Sequence, residues 1–160
     1  MAKRGDAESP AGVLLVSGEG ATIAEWRPRV VEEVRRLELS LTEAEEHELV
    51  GPSYSHPRGS GEKATARSGA LRDTWERRLE EHRARFARDA AKDAARAAER
   101  RGWDVVLVLG DPRRAKPATE ELLHHGIRAA RSELVLDWLR PAALASRLAP
   151  EIARARAEGA

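Results

Sequence analysis

The sequence contains no cysteine, no asparagine and no glutamine in 160 residues. Without cysteine there are no disulfides, no thiolate nucleophile and no Cys-based zinc site. Without side-chain amides nothing of that type can orient a water, complete an oxyanion hole or read an adenine edge. Aromatics are scarce, at 4% of residues. The longest apolar runs, Val13–Val16 and Val105–Leu109, are far shorter than a membrane span needs. The opening MAKRGDAESP lacks the apolar stretch of a secretory signal. These features describe a cytoplasmic chain with no cofactor, no metal and no ordinary catalytic centre. Heavy use of Ala, Arg and Glu suits a GC-rich genome.

Charge is plentiful and nearly balanced, with 28 basic and 27 acidic residues. The balance is uneven along the chain. Residues 1–50 carry 6 basic and 11 acidic side chains, residues 51–101 carry 13 and 8, and residues 102–160 carry 9 and 8. The middle third is therefore basic. Concentrated positive charge attracts phosphates even when the net charge is close to zero, although a solvated, salt-bridged helix face produces the same composition.

The length fits one domain, read as residues 11–160 behind a disordered tail at 1–10. Ala11–Val16 and Ala21–Trp26 are short apolar runs joined by Ser17-Gly18-Glu19-Gly20, a hairpin pattern. Val30–Leu39 reads as a third strand, with a helix over 30–38 as the competing assignment. Gly51–Gly69 is rich in Gly, Ser and Pro and reads as a long loop, a class of segment that tends to be functional or disordered. From Ala70 to Arg101, Leu71, Trp75, Leu79, His82, Phe86, Ala90 and Ala94 recur every three or four residues and predict a long helix closed by Gly102. Trp103–Leu109 reads as a buried strand, Ala115–His125 as a short helix, Ile127–Leu136 as a strand, and Pro141 to about Glu158 as a last helix that Pro150 should kink or split. The resulting fold class is α/β: a mixed sheet, with an N-terminal hairpin and meander plus parallel strands, and the long helix packed across it.

Catalytic constellations are missing from this pattern. There is no P-loop, GxGxxG or GxSxG. His47 sits among Glu45, Glu46 and Glu48 without a second ligand cluster, and the His124-His125 pair suits a helix C-terminus. Asp104 and Asp111 fall at opposite ends of one strand and cannot share a metal. Two regions remain as binding candidates. In the first, Tyr54, His56, Arg58, Lys63 and Arg67 of the loop offer stacking and phosphate contacts and lead into Arg72, Arg77, Arg78 and Arg85 of the basic helix. In the second, Arg113, Arg114 and Lys116 follow Gly110-Asp111-Pro112 just beyond the C-terminal end of a buried strand, where ligands of open α/β sheets bind and where cations beside a helix start can hold a phosphate.

The order of these pieces resembles a known group. Three strands, a long loop, SGALRDTWERRLEEHRARFARDAAKDAARAA at Ser68–Ala98 and WDVVLVLGDP from Trp103 are similar to the RNase H-like central domain of archaeal and eukaryotic class 1 release factors and Pelota. More narrowly, they resemble the bacterial archaeo-eukaryotic release factor (baeRF) group, over roughly residues 11–158. In release factors the loop before the long helix bears a Gly-Gly-Gln motif that promotes peptidyl-tRNA hydrolysis. The corresponding place here holds Thr65, Ala66 and Arg67, so the hydrolytic mechanism does not carry over. The resemblance then implies a ribosome- or tRNA-binding protein, a reduced or truncated member of the group. Two alternatives stand beside it: a hydrolase of peptidyl-tRNA or another ester with a non-standard loop (Arg67, His56, Ser68), and a protein-binding module or homo-oligomer.

Overall fold

The computed structural model describes residues 8–39, 61–134 and 140–158, with side chains in the long helix from Asp73 onward. Five strands form one sheet: β1 (Ala11–Val16), β2 (Gly20–Arg27), β3 (Val30–Glu38), β4 (Val106–Gly110) and β5 (Ala129–Arg131), in the order β3-β2-β1-β4-β5. β1, β2 and β3 make an antiparallel meander, while β4 runs parallel to both β1 and β5. Three helices complete the fold: α1 (Gly61–Arg101), α2 (Pro112–His124) and α3 (Pro141–Glu158).

Side-chain alternation in the central strands assigns the layers. Leu14, Val16, Val106 and Val108 face α1 and α2, whereas Val13, Val105, Leu107 and Leu109 face α3. The unbroken apolar run of β4 is thus explained by burial on both faces. Alanine makes up most of the buried face of α1 (Ala87, Ala90, Ala91, Ala94, Ala95, Ala97 and Ala98). Alanine is the strongest helix former, and its small side chain lets a helix backbone lie close to its neighbour.

The junction between α1 and β4 is a Schellman stop. Gly102 adopts φ 70°, and the Trp103 amide donates back to the Ala98 carbonyl at 3.0 Å. That turn consumes Trp103 and Asp104, so β4 begins at Val106, later than the apolar pattern suggests. Trp103 instead lies over Gly12, where a Cβ would sit 2.4 Å from the indole ring. Its Nε1 donates to Glu25 at 2.8 Å. Glu25 is buried on β2 and also pairs with Arg27 and Arg101. Burial pushes its pKa up, but the Trp103 hydrogen bond and the two guanidiniums together outweigh burial, and the carboxyl stays below its ordinary range.

Several sequence expectations change. Residues 61–69 are the first turns of α1, not loop: Glu62, Lys63, Ala64, Ala66 and Arg67 are good helix formers that outweigh the scattered glycines. The apolar stripe is not buried along its whole described length, since Trp75 is 38% exposed and burial begins in earnest at Ala87. Helix α2 starts at Pro112 rather than Ala115, because Asp111 is an N-cap, accepting from the Arg113 amide at 3.0 Å, and proline suits the first helical position. Val30–Glu38 is a strand, which dismisses the helical alternative. Pro150 does not split α3 into two elements. Proline deprives the Ser146 carbonyl of its donor, and both residues are exposed, so water can replace the lost bond while Leu144, Leu148 and Ile152 stay packed. Ser9, assigned to the tail, is tied down by Arg156, whose Nη2 donates to the Ser9 carbonyl at 2.7 Å.

Candidate nucleic-acid interface

Helix α1 is about twice as long as the sheet is deep. Its 41 residues span roughly 60 Å at 1.5 Å per residue. It runs antiparallel to β4, so its C-terminal end sits where β4 starts. Glu80 lies where β4 ends: its Oε1 accepts from Arg114 of α2 at 2.9 Å. The residues from Gly61 to Leu79 add roughly another 28 Å of helix before that edge is reached. Asp73 through Arg78 are all exposed. One half of α1 is a wall of the core, and the other leads away from the C-terminal edge of β1 and β4.

The whole helix carries 12 basic and 8 acidic residues, a net charge of +4. On the side away from the alanine row, Arg78, Arg85 and Lys92 recur at seven-residue spacing, and Arg88, Lys92 and Arg96 at four, which places them along one face. Partial neutralisation comes from the same helix: Lys92 lies 3.8 Å from Asp89 and Arg96 lies 3.2 Å from Asp93. Such exposed pairs hold their partners weakly. Arg77, Arg85 and Arg88 have no ion-pair partner among the described residues.

The sequence-derived candidates divide into three sets. Tyr54, His56 and Arg58 lie outside the described residues. Lys63 and Arg67 are on α1 rather than in a loop, which replaces a flexible backbone with a helical one, and Arg72 is on the helix as expected. Arg77, Arg78 and Arg85 are exposed on that same helix. At the start of α2, Arg113 and Lys116 are exposed, with Arg113 also bonded to Asp111. Arg114 differs from both: it is buried, its Nη1 donates to Asp111 at 2.6 Å and its Nη2 to Glu80 at 2.9 Å. Its outer nitrogens are committed to carboxylates, which removes it from the set of open surface cations. Asp111 keeps a pKa below the ordinary carboxylate range, chiefly through the Arg113 amide and then, against some burial, the Arg113 and Arg114 guanidiniums.

Two participants escape a reading by composition. Glu80 joins α1 to α2 by accepting from Arg114, and Arg83 Nη1 of the same helix donates to that Glu80 Oε1 at 3.3 Å. The available signal was position: Arg83 falls four residues after Leu79 and seven before Ala90, on the face that the apolar residues define. Among the described residues no group of three or more His, Asp or Glu could hold a metal ion. No helix among them is long and apolar enough to cross a membrane. A groove of about 380 Å³ between β3 and α1 lies elsewhere, and there Arg35 and Arg96 both spend their charge on Asp93.

Comparison with known proteins places this geometry. The model of "bacterial archaeo-eukaryotic release factor family 10" matches residues 2–154. No curated protein matches the sequence. Among solved structures, the crystal structure of an archaeal translation termination factor, aRF1, is similar at a TM-score of 0.50 and 15% identity, over 94% of this chain and 37% of that one. A structure of ribosome-bound archaeal Pelota and ABCE1 is similar at a TM-score of 0.49 and 12% identity, over 92% of this chain and 35% of that one. The chain thus spans little more than a third of either, and the likeness to aRF1 concerns the fold.

Proposed function

The chain belongs to bacterial archaeo-eukaryotic release factor family 10, and from that premise we propose that it is a translation-associated protein that binds the ribosome or tRNA. The observation that carries this reading is the two-part helix. Its N-terminal half leads away from the sheet edge, Asp73 through Arg78 are exposed, and its solvent face presents Arg77, Arg85 and Arg88 without ion-pair partners among the described residues. Arginines spaced along a helix face can follow a phosphate backbone, and neutralising phosphates releases counterions, so binding of this kind weakens steeply with salt. Lys63, Arg67 and Arg72 extend the same helix toward its start, and Tyr54, His56 and Arg58 precede it in sequence. Arg113 and Lys116 add positive charge at the edge where the helix leaves the body.

The reading is one of binding rather than hydrolysis. No glutamine occurs in the 160 residues, so no Gly-Gly-Gln motif of the release-factor kind can be present in them. Sucrose-gradient sedimentation of lysate tests the proposal. At low salt the protein should travel with ribosomal or tRNA fractions, and it should leave them as salt rises. A protein that stays at the top of the gradient in dilute buffer refutes it. If light scattering on that same sample shows a dimer, a protein-binding role for the helix takes its place.

A further inference from the structure

Three of the four tryptophans lie within the described residues, and two of them are built into the body. Trp26 and Trp103 are buried, and each spends its indole N–H on a partner. Trp26 Nε1 donates to the Ala145 carbonyl at 2.9 Å, and Trp103 Nε1 donates to Glu25 at 2.8 Å. Trp75 has neither kind of anchorage. It is 38% exposed, and among the described residues its indole makes no hydrogen bond and no ring contact. Helix propensity does not ask for it either, since tryptophan is a weaker helix former than the Leu, Arg and Glu around it. An aromatic face left in water forgoes the burial by which such side chains stabilise a fold.

The setting of Trp75 is charged. It lies on the half of α1 that leads away from the sheet edge, where Asp73 through Arg78 are all exposed. Arg72 and Arg78 stand three residues before and after it, and positions at that spacing share a helix face. Arg77 is exposed without an ion-pair partner among the described residues. From Gly61 to Leu79 the helix holds 5 basic and 3 acidic residues. An apolar protein groove answers the indole but not the guanidiniums. An unpaired nucleotide answers both, because its base offers a π face and its phosphate offers negative charge. A base inside a duplex is already stacked on both sides, so a duplex offers the phosphates without the face.

We propose that Trp75 stacks on a base, and that the outer half of α1 therefore recognises unpaired RNA in preference to duplex. The proposal rests on the reading of the protein as a ribosome or tRNA binder and narrows its target to nucleotides in loops, bulges or single strands. Trp75 supplies the stacking platform, and the arginines along the helix follow the phosphates. The two contributions separate by salt. Stacking releases no counterions, so loss of the indole lowers affinity without changing the salt slope, whereas loss of arginines flattens it.

The experiment measures, by fluorescence anisotropy over a series of salt concentrations, how the full 160-residue chain binds a short labelled oligouridylate and an adenylate–uridylate duplex of the same length. It compares the native chain with Trp75→Ala, Trp75→Phe and Trp75→Leu. Because Trp75 is exposed, all three variants should keep the native urea midpoint. The native chain should bind the single strand more tightly than the duplex. Trp75→Ala should weaken single-strand binding about tenfold at an unchanged salt slope and leave duplex binding as it was. Trp75→Phe keeps a ring and should recover most of the loss, while Trp75→Leu, apolar without a ring, should behave as the alanine variant does. If Trp75→Ala binds the single strand as the native chain does, if Trp75→Leu binds as well as Trp75→Phe, or if strand and duplex are bound alike, Trp75 does not stack on a base. A native chain that binds neither RNA also overturns the proposal, and if that chain still sediments with ribosomes the translational reading stands without it. Ring-dependent binding of oligouridylate by a chain that never enters ribosomal or tRNA fractions does the reverse, keeping the stacking residue and removing the translational role.

Discussion

The two halves of helix α1 are made from similar residues and do opposite work. From Ala87 to Ala98 the helix is a flat alanine face lying on β1, β2 and β4, with its charges turned outward. Before Leu79 it has left the sheet edge, and even Trp75 is exposed. Helix propensity is high throughout, so propensity does not separate the halves. What separates them is whether a sheet lies beneath. The comparison teaches that one continuous element can be core at one end and exposed surface at the other, with the junction marked by the Glu80, Arg83 and Arg114 network rather than by a break in the helix.

The comparison breaks first if the buried half tolerates bulk. Ala94→Leu adds a branched side chain to a face with no free space and should cost about 1–3 kcal/mol in urea unfolding. Unchanged stability would mean that α1 does not lie on the sheet as described. The next largest effect concerns the anchor at the end of that half. Glu25→Gln should cost about 1 kcal/mol, from the weakened bonds to Trp103 and Arg101. It should also change the pH profile. Because the folded protein holds the Glu25 pKa below its unfolded value, its contribution is present above the ordinary glutamate range and is lost as pH falls through the folded pKa. Native stability should therefore decline on acidification below about pH 4.3, and the glutamine variant should decline less. The smallest effect on stability belongs to the exposed face. Arg85→Glu with Arg88→Glu should move stability by less than about 0.5 kcal/mol. The same pair should weaken ribosome or RNA binding about tenfold and reduce its salt dependence. A large loss of stability in this pair would erase the distinction between the halves.

Much of the fold was legible in the residues themselves. The apolar runs of β1, β2 and β4, the glycine at 102 and the three- and four-residue recurrence of α1 each reflect local physics: alternation, capping and periodicity. The errors fell where local signals conflicted. Glycine and serine between 61 and 69 suggested a loop while their neighbours favoured helix. Pro150 suggested a break that exposed backbone and a packed Leu144, Leu148 and Ile152 face could absorb. The site was less legible. Arg113, Arg114 and Lys116 look alike in sequence, yet one is buried between two carboxylates and the others face solvent. Arg83 belongs with Arg114 only because α1 crosses the start of α2.

The sequence by itself determined the chemistry at hand: no thiol, no side-chain amide, a positive middle third and elements in an α/β order. Those are properties of residue types and their spacing, which no folding can alter. Tertiary structure alone decided which cations are partners, which are buried and which remain open. The reason is that the pairing of Glu80 with Arg114, 34 positions apart, depends on how α1 lies across the sheet, and chain neighbours carry no record of that crossing.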